Sequence, residues 1–222
     1  MNLLLAGIVL LASIVVHEVA HAWQARREGD DTAEKLGRIT LNPIPHLDLF
    51  GSFIVPLTLF AMGTLSGGSG FLFGWAKPVP VNPTKYRDYK WGDIRVSMAG
   101  IVSNLVLAVL ATLLTAVVVK LSSMGVGPVA VMDTLYLGLQ YALFINLLLA
   151  FFNLIPIPPL DGSHVLAHLL PREAQARYRQ VGQYGILVLM GLLYLVPGAF
   201  SVILWPVLFL RGLADSFVRL WI

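Results

Sequence analysis

The sequence predicts an all-α membrane protein: a polytopic bundle of about five to six helical spans, with a re-entrant or β-hairpin-like excursion between the first two clear spans. Three observations predict it. Hydrophobic residues make up 57% of the 222 residues and charged residues only 12%, about half the charged share of an average soluble domain. Uncharged runs such as 96–119 and 134–155 reach the ~20 apolar residues that cross a bilayer core as a helix. Most Lys and Arg sit in short stretches beside apolar runs, where they orient a chain in a membrane. The net charge of +3 is therefore assigned to orientation, and no nucleic-acid partner is expected. No repeat, low-complexity tract or linker divides the chain, so residues 1–222 read as one integral membrane domain.

The first helix is expected over 2–23. It lacks a basic leader and carries His17, Glu18 and His21, so it reads as a retained helix and not a signal peptide. Residues 49–76 are uncharged but interrupted by Pro56 and by Gly67-Gly68-Ser69-Gly70. Basic residues flank this stretch on both sides: Arg26, Arg27, Lys35 and Arg38 before it, Lys77, Lys85, Arg87, Lys90 and Arg95 after it. If both groups are cytoplasmic, the stretch enters and leaves by one face. Helices then follow at 96–119 and 134–155, joined by an external loop, 121–131, without Lys or Arg. Arg172, Arg177 and Arg179 return to the cytoplasmic side. The run 181–210 is broken at Pro197-Gly198 and reads as a hairpin of two short spans, returning Arg211 and Arg219 inside. In this topology the first helix and the helix ending near Ile155 run in the same direction, so His17 to His21 and Asp161 fall at one depth near the cytoplasmic face. Irregular backbone at such a depth must be buried in protein or line a wet cavity.

The chemistry-bearing residues gather at that depth. His17-Glu18-Val19-Ala20-His21 places two imidazoles at i and i+4 on one helical face, with a carboxylate beside the first, a pattern that suits Zn²⁺. Glu18 is then the acid/base that takes a proton from the attacking water. An ionisable cluster inside a spanning helix is costly, which favours function over a polar helix-to-helix clasp. With no cysteine in the chain, a metal must be held by His, Asp or Glu. Asp161 closes the run from Asn153 to Gly162, whose prolines 156, 158 and 159 stop the preceding helix. On its own, this position fits a third metal ligand and an N-cap of the next helix equally well.

With these motifs in view, the sequence resembles the site-2 protease family of intramembrane metalloproteases. The resemblance covers most of the chain: His17 to His21, Gly37 to His46 (GRITLNPIPH), Gly74 to Pro83 (GWAKPVPVNP), Ala99 to Asn104 (AGIVSN) and Asn153 to Gly162 (NLIPIPPLDG). It implies one Zn²⁺ held by His17, His21 and Asp161, catalysis by Glu18, and transmembrane proteins as substrates in the bilayer. It also implies a multi-pass protein of a prokaryotic cell membrane, in a compact form without a PDZ domain. Ile101 stands where the family usually has proline, which bears on where the local helix starts. Asn104 and Asn153 are candidates to contact substrate or oxyanion, or to pack helices through their amides. Residues 49–83 are a candidate edge for pairing with an unwound substrate. His164 and His168, also four apart, read as an amphipathic turn, with a second metal site as the rival; His46 reads as a loop brace. The rival functions are a metal-ion transporter and a non-catalytic zinc-binding membrane protein, and Glu18 separates them from a protease. Oligomeric state is left open.

Overall fold

The computed structural model describes residues 2–48, 58 and 77–221. Among them the regular elements are helical. Helix α1, Leu3–Glu28, starts where the Asn2 side chain accepts the Leu5 N–H at 3.2 Å, and a single turn, α2, Thr32–Lys35, follows it. Helix α3, Tyr89–Ser123, is capped by Asp88, which accepts the Trp91 N–H at 3.0 Å. Helix α4 covers Val129–Asn153, and α5, Gly162–Leu169, begins directly after Asp161. Helices α6, Arg172–Val181, α7, Gly185–Leu195, and α8, Ala199–Arg219, complete the described chain.

Among the described residues, helices α1, α3, α4 and α8 are long and apolar enough to cross a membrane. The runs 96–119 and 134–155 lie inside α3 and α4, and α3 continues unbroken through Ile101 from its start at Tyr89. The break in 181–210 falls where expected, at a turn in which Gly198 takes a left-handed φ of 84°. Its two limbs are unequal. Helix α7 has 11 residues, about 16 Å of helix against a ~30 Å hydrocarbon core. Helix α8 runs on to Arg219, so Arg211 lies inside it; a charged, polar end costs a helix nothing once it has left the apolar zone. The excursion expected at 49–76 lies outside the described residues.

The bundle is apolar on its outer face and buries polar groups beside a small apolar core. Val109, Leu110, Leu113 and Val117 on α3, and Val202 and Trp205 on α8, are exposed, a surface that lipid covers and water would not. The core joins Ala108 and Ala111 of α3 to Leu143 and Leu147 of α4 and Val207 of α8; small residues at a helix seam let backbones approach closely. Helices α1 and α4 are parallel, since Asn2 N–H donates to Tyr141 Oη at 3.1 Å and Ser13 Oγ accepts from Asn146 Nδ2 at 2.9 Å. Helix α3 runs antiparallel to α1, pairing Arg95 with Glu28 and Asn104 with His17.

Beyond α1, the connection back to α3 is fastened by buried charge. Arg95 makes two bonds to the Glu28 carboxylate, at 2.7 Å and 2.8 Å. Fully buried Asp30 accepts the Asn82 N–H at 2.6 Å and bonds Thr32. Lys35 and Lys85 both pair with Asp31 and draw its carboxyl down to about 2. Five of the basic residues flanking 49–76 are thus engaged in bonds of the fold: Arg26, Lys35, Arg38, Lys85 and Arg95.

Candidate metal centre

Two elements converge on one point. From α1, His17 Nε2 and His21 Nε2 stand 3.0 Å apart. From the turn before α5, Asp161 Oδ2 lies 3.2 Å from the first and 3.3 Å from the second. Ligands ~2.0–2.1 Å from a tetrahedral Zn²⁺ stand ~3.3 Å from one another, so these three atoms have the spacing of one face of such a tetrahedron. Among the described residues they form the group of His, Cys, Asp or Glu side chains able to hold a metal.

Hydrogen bonding at the far side of each ring fixes which nitrogen faces the centre. His21 Nδ1 donates to the carbonyl oxygen of Val96 at 2.7 Å, and His17 Nδ1 donates to Asn104 Oδ1 at 2.5 Å. With Nδ1 carrying the proton, each Nε2 presents a lone pair, the state in which imidazole binds metal. Asp161 Oδ2 is buried and has no hydrogen-bond partner. Three unshielded lone pairs held this close repel one another unless a cation lies among them. The donor set, two neutral imidazoles and a carboxylate, fits Zn²⁺.

The two readings of Asp161, metal ligand and N-cap, differ in where its side chain points. It occupies the position before α5, yet its side chain makes no capping bond and turns to the histidines instead. Gly100 of α3 completes the pocket. A Cβ there would lie under 3.0 Å from His17 Nε2 and His21 Nε2, so the helix presents bare backbone to these two nitrogens.

Glu18, one residue on from His17, accepts the Val79 N–H at Oε2, 2.7 Å away. Val79 belongs to the segment 77–82, which is held in place by three residues: Arg38 donates to the Lys77 carbonyl at 2.9 Å, the Lys77 N–H donates to His46 O at 2.9 Å, and Asp30 takes Asn82. His46 is fully buried and bonds Thr40 O at 3.0 Å, bracing its loop as expected. Asn104 is fully buried, with both ends of its amide bonded, to His17 and to Asn146. Asn153 Nδ2 donates back to Leu149 O within its own helix, at 2.9 Å.

Sequence reasoning missed Asp93. This buried residue of α3 takes His168 Nε2 at 2.8 Å and His164 Nδ1 at 3.3 Å on one carboxylate oxygen. Its pair draws the His164 pKa above the usual histidine value. The turn expected to be partly exposed is so on one side only, because the His168 side chain is 4% exposed and that of His164 is 51%. A carboxylate four residues before Ser97 in a run leading to an apolar helix was the available signal. Ser13, Asn146 and Gly100 were missed as well, since nothing in their spacing announces which helix face meets the site.

The model of peptidase family M50 matches residues 5–196. The chain belongs to peptidase family M50. The motif resemblance to site-2 proteases is therefore borne out, and the chain is an M50 protease, an integral membrane protein by the four membrane-length helices among the described residues. Similar proteins include YwhC of Bacillus subtilis, 39% identical over 218 residues, 96% of this chain and 89% of that protein. Rip2 of Mycolicibacterium smegmatis is 32% identical over 191 residues, 82% of this chain and 64% of that protein. Rip2 of Mycobacterium tuberculosis strain H37Rv is 29% identical over 201 residues, 88% of this chain and 70% of that protein. All three carry names that describe a zinc metalloprotease. No solved structure matches the chain significantly.

Proposed function

We propose that this M50 protease is an intramembrane zinc endopeptidase that hydrolyses peptide bonds in or beside the transmembrane segments of other proteins, from a site near the cytoplasmic side of a prokaryotic cell membrane. The observation that carries the reading is the triangle of His17 Nε2, His21 Nε2 and Asp161 Oδ2, with edges of 3.0–3.3 Å and an unpartnered carboxylate oxygen. His17, His21 and Asp161 hold the metal. When bound, Zn²⁺ supplies Lewis-acid polarisation of the water and of the scissile carbonyl.

Glu18 then performs the proton transfers. Its carboxylate takes a proton from the attacking water and delivers it to the leaving amine nitrogen. The Val79 N–H holds one carboxylate oxygen in place during this work. Asn153 lies one turn before the proline-rich run that delivers Asp161 and is the side chain assigned to the substrate carbonyl. The segment 77–83 is assigned to the unwound substrate strand, whose backbone needs partners once it leaves its helix.

The test is co-reconstitution of the protein with single-span substrates in liposomes, comparing wild type with Glu18→Gln. Glu18→Gln is expected to retain one equivalent of zinc and to lose cleavage. Equal processing by both proteins would sink the mechanism, and a wild-type protein that binds no zinc would sink the site.

A further inference from the structure

His17 and His21 are both oriented through Nδ1, but by different means. Val96 offers a backbone carbonyl, which can only accept, so the His21 tautomer is settled by the fold of α3. Asn104 offers a side-chain amide, whose oxygen and nitrogen ends are nearly the same size. Turned over, it would present N–H groups to His17 Nδ1, drive the proton to Nε2, and put a hydrogen where a metal must sit. Something has to hold that amide the right way round.

A buried chain of bonds does so. Asn104 Nδ2 donates to Asn146 Oδ1 at 2.8 Å. Asn146 Nδ2 in turn donates to Ala142 O at 2.8 Å and to Ser13 Oγ at 2.9 Å. The Ser13 hydroxyl donates to Val9 O at 2.8 Å, which leaves its oxygen free to accept. Both ends of the chain are therefore backbone carbonyls, of Val9 and Ala142, and neither can donate. Acceptors at the ends force the Asn146 amino group toward them, its oxygen toward Asn104, and the Asn104 oxygen toward His17. Every member is shielded from water: Ser13 is 3% exposed, Asn146 2% and Asn104 0%. No solvent molecule can substitute for a missing link, and a mismatched donor or acceptor stays unpaired.

We infer that Asn146 and Ser13, acting through Asn104, are positioning residues for the metal site: they form a one-way hydrogen-bond relay that holds His17 in its metal-binding tautomer. This rests on the reading of His17 as a zinc ligand. It gives Asn104 a role away from the substrate, as the side chain that hands the relay's direction to His17.

The relay is tested on the full-length protein in detergent by zinc competition against a chromophoric chelator, together with ¹⁵N-histidine NMR of the metal-free protein. Asn146→Leu leaves the Asn104 amide without a directing partner. Zinc affinity is expected to fall about ten- to a hundredfold, and the His17 ¹⁵N signals to move from the Nδ1–H pattern to a mixture. The His21 signals, anchored by Val96, stay in place and report that the fold is intact. Asn104→Asp removes the need for direction, because both carboxylate oxygens accept. In the Asn104→Asp background, Asn146→Leu is therefore expected to cost little affinity, so that the double variant binds zinc more tightly than Asn146→Leu alone. Wild-type zinc affinity in Asn146→Leu overturns the relay, as does a double variant no tighter than Asn146→Leu. If Asn146→Leu loses the His21 signals, Ser13→Ala decides: it deletes one bond at the far end, with an expected loss on the order of threefold, and no loss overturns the relay. Failure of wild-type protein to bind zinc is a separate result, against the metal site itself.

Discussion

Two clusters in this protein share a composition and differ in everything that follows from it. Each joins two histidines four residues apart on one helix to an aspartate from elsewhere: His17 and His21 with Asp161, His164 and His168 with Asp93. At the first, both rings turn the same nitrogen inward, acceptors hold the outer nitrogens, and the carboxylate oxygen is left without a hydrogen-bond partner. At the second, His164 offers Nδ1 and His168 offers Nε2 to a single oxygen, which they satisfy. The first is an open set of lone pairs and calls for a cation. The second is a closed hydrogen-bonded cluster that ties α5 to α3. Spacing of histidines thus says little until the tautomer of each ring is known, and the tautomer is decided by what stands behind it.

Exchanging the fates of the two aspartates breaks the comparison most sharply. Asp161→Ala is expected to abolish both stoichiometric zinc and cleavage, whereas Asp93→Ala retains zinc, as metal analysis of the purified proteins would establish. Gly100→Ala comes next, because its methyl group intrudes on both Nε2 atoms. Zinc affinity is expected to fall by about ten- to a hundredfold with little change in melting temperature, measured by chelator competition and thermal unfolding. Asp93→Asn should cost about 1–3 kcal/mol of stability, the penalty for a buried partner lost, seen as a lower unfolding midpoint with zinc still bound.

The smallest effect is a pH dependence at the second cluster. Asp93 is the main cause that raises the folded-state pKa of His164, Asp161 adds to it, and Arg179 opposes it. A raised histidine pKa gives stability that is fully present below the unfolded value of 6.5 and is lost as pH rises through the folded value. The stability difference between wild type and His164→Gln should therefore shrink as pH climbs above that point. A difference that grows instead would contradict the ion pair.

Much of this was legible in the sequence, for reasons that lie in local periodicity. Apolar runs gave α1, α3 and α4, and the i, i+4 histidines gave one helical face. Prolines 156, 158 and 159 marked where α4 had to stop, and matching basic flanks gave the parallel course of α1 and α4 that brings Asp161 to the histidines. What escaped was set by how helices cross. Gly100 matters because α3 passes α1 at that residue, and Asn146 because its amide meets Asn104 across a seam. Asp93 looked like one more polar residue before an apolar run, and only the return of α5 against α3 gives it two histidines.

Each element of the metal centre comes from a different stage of the chain's synthesis. The histidines emerge first, the Val96 and Asn104 acceptors with the bare backbone of Gly100 follow, and Asp161 leaves the ribosome after most of the protein has been made. A chain stalled before α4 is inserted has imidazoles but neither the carboxylate nor the Asn146 amide. Only the closed bundle brings the two imidazoles and the carboxylate to one point.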